Sequence, residues 1–259
     1  EPGLERKMRR KRIINNSFYN ELQERWYLEN DHPVALLRAE NALRKDWVAS
    51  QIAPDQNILD IGCGAGFLAN FLAEKGHTVT GIDLSETSLE VARLYDQTHS
   101  VEYIKASAYH LPFEKTKFDV VCATDVLEHL EYPERLIQEA SRVLRPGGRF
   151  FFHTFNRTLA SYVVVIKGVD WFVRNAQKNM HVYSLFIKPT ELQKMCHSNG
   201  FNIENLRGFR PKILTKSFFR LLLTKKISTD FSFCFSSSLK TGYCGVAQKV
   251  RSHACYEKI

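Results

Sequence analysis

The chain has 259 residues, of which 44% are hydrophobic and 25% are charged, and its formal net charge is +8 at pH 7. This length favours one elaborated domain with an insertion over two equal domains. Apolar stretches such as 162–166 and 221–223 fall far short of the roughly 20 residues that cross a bilayer, so the sequence excludes a membrane-spanning helix.

The cysteine pattern and the N-terminal segment bear on the compartment. Six cysteines are scattered without C-x-x-C spacing, and two of them fall inside apolar strand-like runs, where they should pack as small hydrophobic side chains. The basic N-terminal segment has no apolar core after it, which predicts that no secretory signal is present. We therefore expect reduced thiols and a cytoplasmic protein.

The positive charge is concentrated in two segments. Residues 1–12 contribute +4 and residues 205–226 contribute +7, which leaves about −3 for the rest of the chain. Such patches meet the phosphates of nucleic acid or of lipid head groups, or they are solvated surface. The charge alone leaves these three interpretations open.

In chain order, residues 15–52 show helical spacing of apolar side chains and predict two helices before the first strand. The predicted strands that follow are 57–61, 78–82, 101–105, 118–124 and 149–155, and the helices between them are 67–75, 86–95 and 133–144. Apolar strands interleaved with helices favour an α/β fold with a doubly wound, mostly parallel sheet. The chain thus divides into an N-terminal helical extension, 1–52, and a main domain, 53–259.

The strand–helix alternation stops after the fifth strand. Residues 158–188 are mostly apolar, and we interpret them as an insertion or lid within the main domain. A helix that ends near Gly200 follows. The β-rich segments 201–210 and 239–249 are expected to close the sheet as an antiparallel hairpin pair.

A glycine-rich loop, ILDIGCGAGF at residues 58–67, follows the first predicted strand. A dinucleotide-binding unit has the pattern G-x-G-x-x-G and places a pyrophosphate at the helix N-terminus. Here Gly62, Gly64 and Gly66 alternate, and Phe67 occupies the place of that third glycine. Because Asp60 would repel a pyrophosphate and attract an ammonium or sulfonium group, the loop favours a positively charged ligand.

A second acid, Asp83, ends the second predicted strand. Ligands of open α/β sheets lie at the carboxyl ends of the strands, where the loop and Asp83 both fall, and one carboxylate can accept hydrogen bonds from both hydroxyls of a ribose. S-adenosylmethionine, a nucleoside with a cationic side chain, fits both acids. Backbone conformation alone also explains a glycine turn, but the combination with Asp60 and Asp83 is more specific.

Over residues 40–155 the chain resembles the class I S-adenosylmethionine-dependent methyltransferases. The segments ATDVLEHLEYPERLIQEASRVLRPGGRFFFHTFNRT and FIKPTEL extend this likeness, over residues 15–249, to the ubiquinone biosynthesis O-methyltransferase family. The resemblance implies a Rossmann-like sheet of seven strands in the order 3-2-1-4-5-7-6, with strand 7 antiparallel. It also implies methylation of phenolic hydroxyls of polyprenylated quinone precursors.

The resemblance also carries functional residues over to this chain. The family's cofactor contacts fall on Arg44, Gly62, Asp83 and Thr124, and its acid-x-x-Glu-His pattern falls on Asp125, Glu128 and His129. Thr124 replaces a frequent Met, Phe155 replaces Leu, and ASAYHLPF lacks the acid with which many class I enzymes hold the adenine amino group. For Arg44, an ion pair within the chain is the alternative to a contact with the cofactor.

The residues at 125–129 suit activation of a hydroxyl. A phenol has a pKa near 10 and needs a base, a metal or both at neutral pH. If the chain turns helical there, the i, i+3, i+4 spacing places Asp125, Glu128 and His129 on one face. His129 is then the candidate general base, and a buried structural histidine is the alternative.

Asp125, Glu128 and His129 are also a candidate site for a divalent cation, with Asn156 of the next strand as a fourth ligand. Oxygen ligands favour Mg²⁺, whereas an imidazole favours Zn²⁺ or Mn²⁺. The resemblance is compatible with such a metal beside S-adenosylmethionine.

Two segments combine apolar and basic side chains. The first is the insertion 158–188, which includes Lys167, Arg174 and Lys178, and the second is 210–226. Aromatic residues beside basic ones are typical of the bilayer interface. We therefore expect a lipid-like quinone precursor as substrate and peripheral contact with an anionic inner membrane; ordinary core with a basic rim is the alternative.

Two other functions fit part of the sequence. One is a class I methyltransferase of another small soluble acceptor, and the other is a nucleic-acid-binding protein or RNA methyltransferase. Base methylation often uses an Asn/Asp-Pro-Pro-aromatic motif after the fourth strand, where this chain has Thr124-Asp125-Val126-Leu127. Nucleic acid is therefore the less favoured partner.

Overall fold

The computed structural model describes residues 16–177 and 179–251. The basic segment 1–12, Lys178 and Cys255 lie outside the described residues. The five cysteines that the structure describes are free thiols, and Cys122 and Cys244 are fully buried inside strands.

An eight-stranded sheet in the order β3-β2-β1-β4-β5-β8-β6-β7 organises the fold. Its strands are β1 (Asn57–Ile61), β2 (Thr78–Asp83), β3 (Glu102–Lys105), β4 (Phe118–Thr124), β5 (Leu144–Phe155), β6 (Phe201–Pro211), β7 (Phe233–Ser236) and β8 (Gly242–Lys249). Strands β1 to β5 pair in parallel, whereas the pairs β5–β8, β6–β8 and β6–β7 are antiparallel. The predicted α/β fold with a mostly parallel, doubly wound sheet is confirmed.

Helices cover both faces of this sheet. They are α1 (Arg25–Leu28), α2 (Val34–Ala49), α3 (Phe67–Glu74), α4 (Glu86–Leu94), α5 (Pro133–Val143), α6 (Leu159–Ser161), α7 (Gly168–Phe172), α8 (Pro189–Ser198) and α9 (Lys216–Thr224). Ile58 and Cys122 pack under α2, α3 and α4, whereas Leu59 and Val121 pack under α5 and α8. Because successive strand residues enter opposite apolar layers, these strands are continuous hydrophobic runs in the sequence.

The N-terminal region differs from the two predicted helices. Residues 17–28 fold as a 3-10 turn, Ser17–Glu21, and the single turn α1, because Gln23 between them has a left-handed φ of 46°. Only α2 is a long helix. Phe18 and Trp26 nevertheless pack together in one buried cluster, so the spacing predicted burial correctly but not helical continuity.

The C-terminal half of the sheet also differs from the prediction. Strands β6 and β8 pair antiparallel as expected, but α9 and β7 lie between them in the chain, so they do not form a hairpin. The expected order holds with β8 as strand 7, but the count of seven strands is wrong, because β7 adds an edge strand. Phe233 of β7 stacks on Phe209 of β6 with ring centroids 5.1 Å apart, which anchors the added strand.

The insertion 158–188 lacks strands within its described residues. It contains α6, a π-helix at Tyr162–Lys167, α7 and a 3-10 turn at Tyr183–Leu185. A π-helical turn is rare and frequently marks a functional site. Among the described helices, none combines the length and hydropathy that crossing a bilayer requires.

Candidate active site

A cavity of about 380 Å³ opens at the carboxyl ends of β1, β2 and β4. This is where ligands bind in open α/β sheets. The predicted site residues in its lining are Arg44, Asp60, Gly62, Gly64, Asp83, Thr124, Asp125 and His129. Gly66 and Glu128, the other two predicted residues, are not part of this lining.

The glycine loop is tight because all three of its glycines have left-handed backbone angles. The φ angles are 71° at Gly62, 52° at Gly64 and 79° at Gly66, a conformation that other residues adopt only with strain. A Cβ at Gly62 would lie 2.8 Å from the Cβ of Val126, and one at Gly66 would collide with the hydroxyl of Tyr103. Gly62 and Gly64 therefore shape the cavity, whereas Gly66 serves the packing of α3.

Two carboxyl groups border the cavity at the ends of β1 and β2. The oxygens of Asp83 accept hydrogen bonds from the backbone N–H groups of Gly64 (2.9 Å) and Ser85 (2.8 Å), and burial raises the pKa of Asp83. Asp60 is 2% exposed, and burial, reinforced by Asp83, raises the pKa of Asp60 to about 8. A positively charged ligand would stabilise both ionised groups, in line with the predicted sulfonium or ammonium group.

The N-terminal region forms one wall of the cavity, a role that the sequence patterns did not indicate. Tyr19 and Trp26 both line the cavity, and their stacked rings have centroids 5.4 Å apart. A Cβ at Gly64 would come within 3.1 Å of the Trp26 indole. Aromatic side chains therefore cover the glycine loop.

Buried Arg44 forms an ion pair with the partly buried Asp125 beside the cavity. Arg44 Nη1 is 2.6 Å from Asp125 Oδ1, and its Nη2 contacts Oδ2. Glu40 lies 3.5 Å from Arg44, and His153 Nδ1 is 2.5 Å from Asp125 Oδ1. Burial would raise the pKa of Asp125, but Arg44 and His153 outweigh it and hold that pKa well below its usual range. Arg44 therefore does form an ion pair within the chain, which was the alternative to a cofactor contact. Its side chain also borders the cavity.

The helical face expected at 125–129 does not form. Asp125 has a left-handed φ of 59°, and only Leu127–His129 make a 3-10 turn. The helical premise is therefore wrong, and Asp125 pairs with Arg44 and His153; its catalytic and metal-binding roles stay predictions.

Glu128 and His129 meet His181 of the insertion. A carboxylate oxygen or imidazole nitrogen of each residue lies within 4.8 Å of the corresponding atoms of the other two. Burial, and to a smaller extent the negative charge of Asp125, raises the pKa of Glu128 to about 8. Burial, and to a smaller extent the neighbouring His181, lowers the pKa of His129 to about 3. At neutral pH and without a bound ligand, His129 is thus a neutral imidazole with a free lone pair.

Asn156 was the candidate fourth ligand through its amide oxygen. Its Nδ2 donates a hydrogen bond to the carbonyl of Leu239 at 2.7 Å and holds the loop before β8, and the role of its oxygen stays a prediction. Phe155, which replaces the leucine of the family pattern, places an aromatic ring next to His181, with ring centroids 5.3 Å apart.

Comparisons with known proteins decide the family. The family described as "Methyltransferase domain" matches residues 59–152. The ubiquinone biosynthesis O-methyltransferase of Thiobacillus denitrificans is 38% identical over 203 residues, which cover 76% of this chain and 87% of that protein. The protein of the same name from Nitrosococcus oceani is 33% identical over 217 residues, which cover 82% of this chain and 90% of that protein. The chain belongs to this O-methyltransferase family.

A solved structure agrees with this assignment at the level of the fold. A SAM-dependent methyltransferase from Thermotoga maritima superimposes with a TM-score of 0.59 at 20% identity, covering 90% of this chain and 97% of that one. The protein is thus an S-adenosylmethionine-dependent O-methyltransferase with the class I fold, and S-adenosylmethionine is its methyl donor.

Sequence reasoning missed two histidines of this O-methyltransferase. His153 could have been found, because β4 and β5 are parallel and place Thr124 opposite His153, next to Asp125. His181 lies in irregular chain between α7 and a 3-10 turn. No periodicity marks that position, although its ring lies 5.5 Å from that of His129.

Proposed function

We propose that this O-methyltransferase methylates a phenolic or catechol hydroxyl of a polyprenylated quinone precursor in ubiquinone biosynthesis. One observation carries the proposal: Asp60, Asp83 and His129 border a single cavity, so groups suited to a cationic nucleoside and to an acceptor hydroxyl share one space. The names of relatives that are 33% and 38% identical support the same substrate class.

The cavity suits S-adenosylmethionine. Each oxygen of Asp83 already accepts one backbone hydrogen bond and keeps a lone pair for a ribose hydroxyl. We propose that Asp60 faces the positive charge of the methionine part, and that Gly62 and Thr124 offer backbone contacts. Arg44 borders the same space and has a buried Nε without a partner among the described residues, which makes it the candidate for the cofactor's carboxylate.

The chemistry is a displacement at carbon. Bound S-adenosylmethionine supplies an electrophilic methyl group, whose carbon–sulfur bond breaks to leave a neutral thioether as the acceptor oxygen forms the new carbon–oxygen bond. The protein has to align that oxygen and remove its proton. We propose that Glu128 and His129 provide this activation through the lone pair of His129, and that Asp125 acts indirectly by positioning Arg44.

The insertion is the first of two proposed membrane contacts. Leu159, Val163 and Trp171 are 74%, 44% and 55% exposed. Lys167 lies between Val163 and Trp171 in the chain, and Arg174 follows Trp171. A tryptophan beside basic residues suits the level of the lipid head groups.

The segment 210–226 is the second proposed contact. Leu214 and Leu223 are 86% and 85% exposed, and Lys216 and Arg220 lie between them in the chain. Each basic residue near an anionic surface contributes about 1 kcal/mol of attraction. Apolar and cationic side chains on one segment therefore favour an anionic bilayer as the occupant.

Vesicle co-sedimentation tests the second contact. We expect the full chain to sediment with phosphatidylglycerol vesicles and not with phosphatidylcholine vesicles. The double variant Leu214→Ser, Leu223→Ser should lose most of this binding. Leu94→Ser is the matched control, because Leu94 is 61% exposed outside both segments. Equal sedimentation of all three proteins would contradict the proposal.

Methyl transfer tests the function directly. The full chain, given S-adenosylmethionine carrying an isotopic methyl label and a catechol with a short prenyl tail, should yield the O-methylated catechol, identified by mass spectrometry. The same compound with its hydroxyls already methylated is the control and should gain no label. Label that entered only RNA, or no acceptor at all, would contradict the proposed function.

A further inference from the structure

We propose that His153 is a positioning residue for the methyl donor: through Asp125 it holds the guanidinium of Arg44 in the orientation that receives the carboxylate of S-adenosylmethionine. His153 is fully buried in β5 and is not part of the cavity lining. Its effect on the cofactor therefore passes through other side chains. The proposal rests on the contact proposed above between Arg44 and the cofactor's carboxylate.

The hydrogen bond between His153 and Asp125 has a defined direction. His153 Nδ1 lies 2.5 Å from Asp125 Oδ1. Both oxygens of Asp125 also contact the guanidinium of Arg44, so this carboxylate is ionised and can only accept hydrogen bonds. The Nδ1–H of His153 is therefore the donor, and the lone pair of the ring is on Nε2.

Asp125 in turn fixes the orientation of Arg44. The pairing of the two terminal nitrogens of a guanidinium with the two oxygens of one carboxylate sets the plane of the guanidinium. The third nitrogen of Arg44, Nε, is buried and has no hydrogen-bond partner among the described residues, although the side chain borders the cavity. The pair with Asp125 thus leaves one donor of Arg44 for the carboxylate of a ligand.

Aromatic and glycine residues hold His153 and Arg44 as one unit. The ring of Phe209 in β6 packs edge to face with the imidazole of His153, with centroids 4.9 Å apart, and Arg44 Cζ lies 5.5 Å from the centroid of the same ring. A Cβ at Gly242 of β8 would lie 3.1 Å from His153 Nε2, so the glycine makes room for the imidazole. The position of Arg44, which belongs to α2, therefore depends on three strands of the sheet.

The donor of His153 also affects the charge that Arg44 can offer. Asp125 Oδ1 is shared between the His153 N–H and the guanidinium. Without the imidazole, this oxygen would be neutralised by Arg44 alone, and the carboxylate would be free to turn about its own side chain. We therefore expect the loss of His153 to weaken the attraction of Arg44 for the cofactor's carboxylate, and not the binding of the nucleoside.

Two ligands that differ only in this carboxylate test the proposal. S-adenosylmethionine and decarboxylated S-adenosylmethionine share the nucleoside, the sulfonium and the amino group. Calorimetry with the full chain should give a Kd about tenfold or more higher for the decarboxylated ligand, the factor that corresponds to one charge-assisted hydrogen bond.

Two variants at one position separate positioning from packing. His153→Leu removes the donor and keeps a buried apolar side chain, and it should lower the ratio of the two Kd values by about fivefold or more. The Kd of the decarboxylated ligand should change much less. His153→Asn is the matched control, because its amide N–H takes the place of Nδ1–H, and it should retain most of the ratio. A residue that acts only in packing would change both Kd values together.

A measurement on the unmodified chain keeps the test open if His153→Leu fails to fold. In nuclear magnetic resonance spectra of the chain with isotope-labelled histidine, the Nδ1–H signal of His153 is identified by its loss in His153→Asn. That signal should shift when S-adenosylmethionine binds, because Arg44 then has a second carboxylate beside Asp125. The decarboxylated ligand should shift it much less.

Four results would overturn the proposal: an unchanged ratio in His153→Leu, equal weakening of both ligands, the same loss in His153→Asn, or an Nδ1–H signal that responds equally to both ligands. Equal affinity of the unmodified chain for the two ligands would remove the contact proposed for Arg44 as well. The expected Kd values without methylation of the catechol would remove the proposed acceptor and leave the role of His153 standing.

Discussion

Two clusters of acids and imidazoles adjoin the carboxyl end of β4, and they differ in what balances their negative charge. In the first, Arg44 and His153 hold Asp125. In the second, Glu128 keeps one buried oxygen without a partner among the described residues. The same residue types thus have different surroundings: in the first cluster a guanidinium balances the charge of the carboxylates, whereas in the second the charge of Glu128 has no such partner among the described residues.

The largest expected effect concerns the first cluster, which Arg44 stabilises. Arg44→Met leaves the buried Glu40 and the partly buried Asp125 without the guanidinium. Removal of one partner of a buried ion pair lowers the free energy of unfolding by about 3–5 kcal/mol, and urea denaturation at pH 7 measures the loss. Arg25→Met is the control, because Arg25 and Glu29 form an exposed pair that is worth about 0–1 kcal/mol. Equal losses of unfolding free energy in the two variants would show that Arg44 does not stabilise the first cluster.

The next largest effect concerns the second cluster, through Glu128 and His129. Glu128→Ala and His129→Ala should each lower kcat by about 10²-fold or more, because the acceptor hydroxyl is no longer activated. The Kd for S-adenosylmethionine should change little, and calorimetry checks it. Turnover within a few-fold of the unmodified enzyme in both variants would remove the proposed roles of these residues.

The smallest effect concerns Asp60, another buried carboxyl group. Its folded pKa of about 8 lies above the ordinary value of about 3.9. Its contribution to the stability of the ligand-free protein is therefore full below about pH 4 and is lost as the pH rises through 8. Because a cationic ligand favours the ionised form, the affinity for S-adenosylmethionine should rise, by up to about tenfold per pH unit, until about pH 8 and then level off.

Calorimetry in two buffers with different ionisation enthalpies checks this dependence, because binding below pH 8 should release a proton. Asp60→Asn cannot release that proton and should flatten the profile. If the slope is the same in this variant, a group other than Asp60 titrates.

The cofactor half of the site follows from the sequence because its signals are local. The loop that contains Gly62 and Gly64 directly follows β1, and Asp83 ends the next strand, so strand and helix periodicity places them at one edge of the sheet. The predicted strands and helices there match the structure within one or two residues, apart from β5, which begins at Leu144 directly after α5.

The acceptor half could be predicted only in part because its geometry depends on distant partners. The conformation of Asp125 is coupled to Arg44, which lies 81 residues earlier in the chain, and to His153. Spacing within 125–129 contains no information about either partner. The same limit applies to His181, whose place beside His129 depends on how the insertion folds back.

The added edge strand has a consequence for the behaviour of the protein at high concentration. Within residues 16–177 and 179–251, strand β7 pairs only with Gly208–Pro211 of β6. The preceding stretch of β6 is kinked by a register shift between Ile203 and Asn205, and it carries Glu204 and Arg207 as exposed charges. A short, kinked and charged border is a poor template for another strand, so this end of the sheet resists the edge-to-edge joining from which aggregates grow.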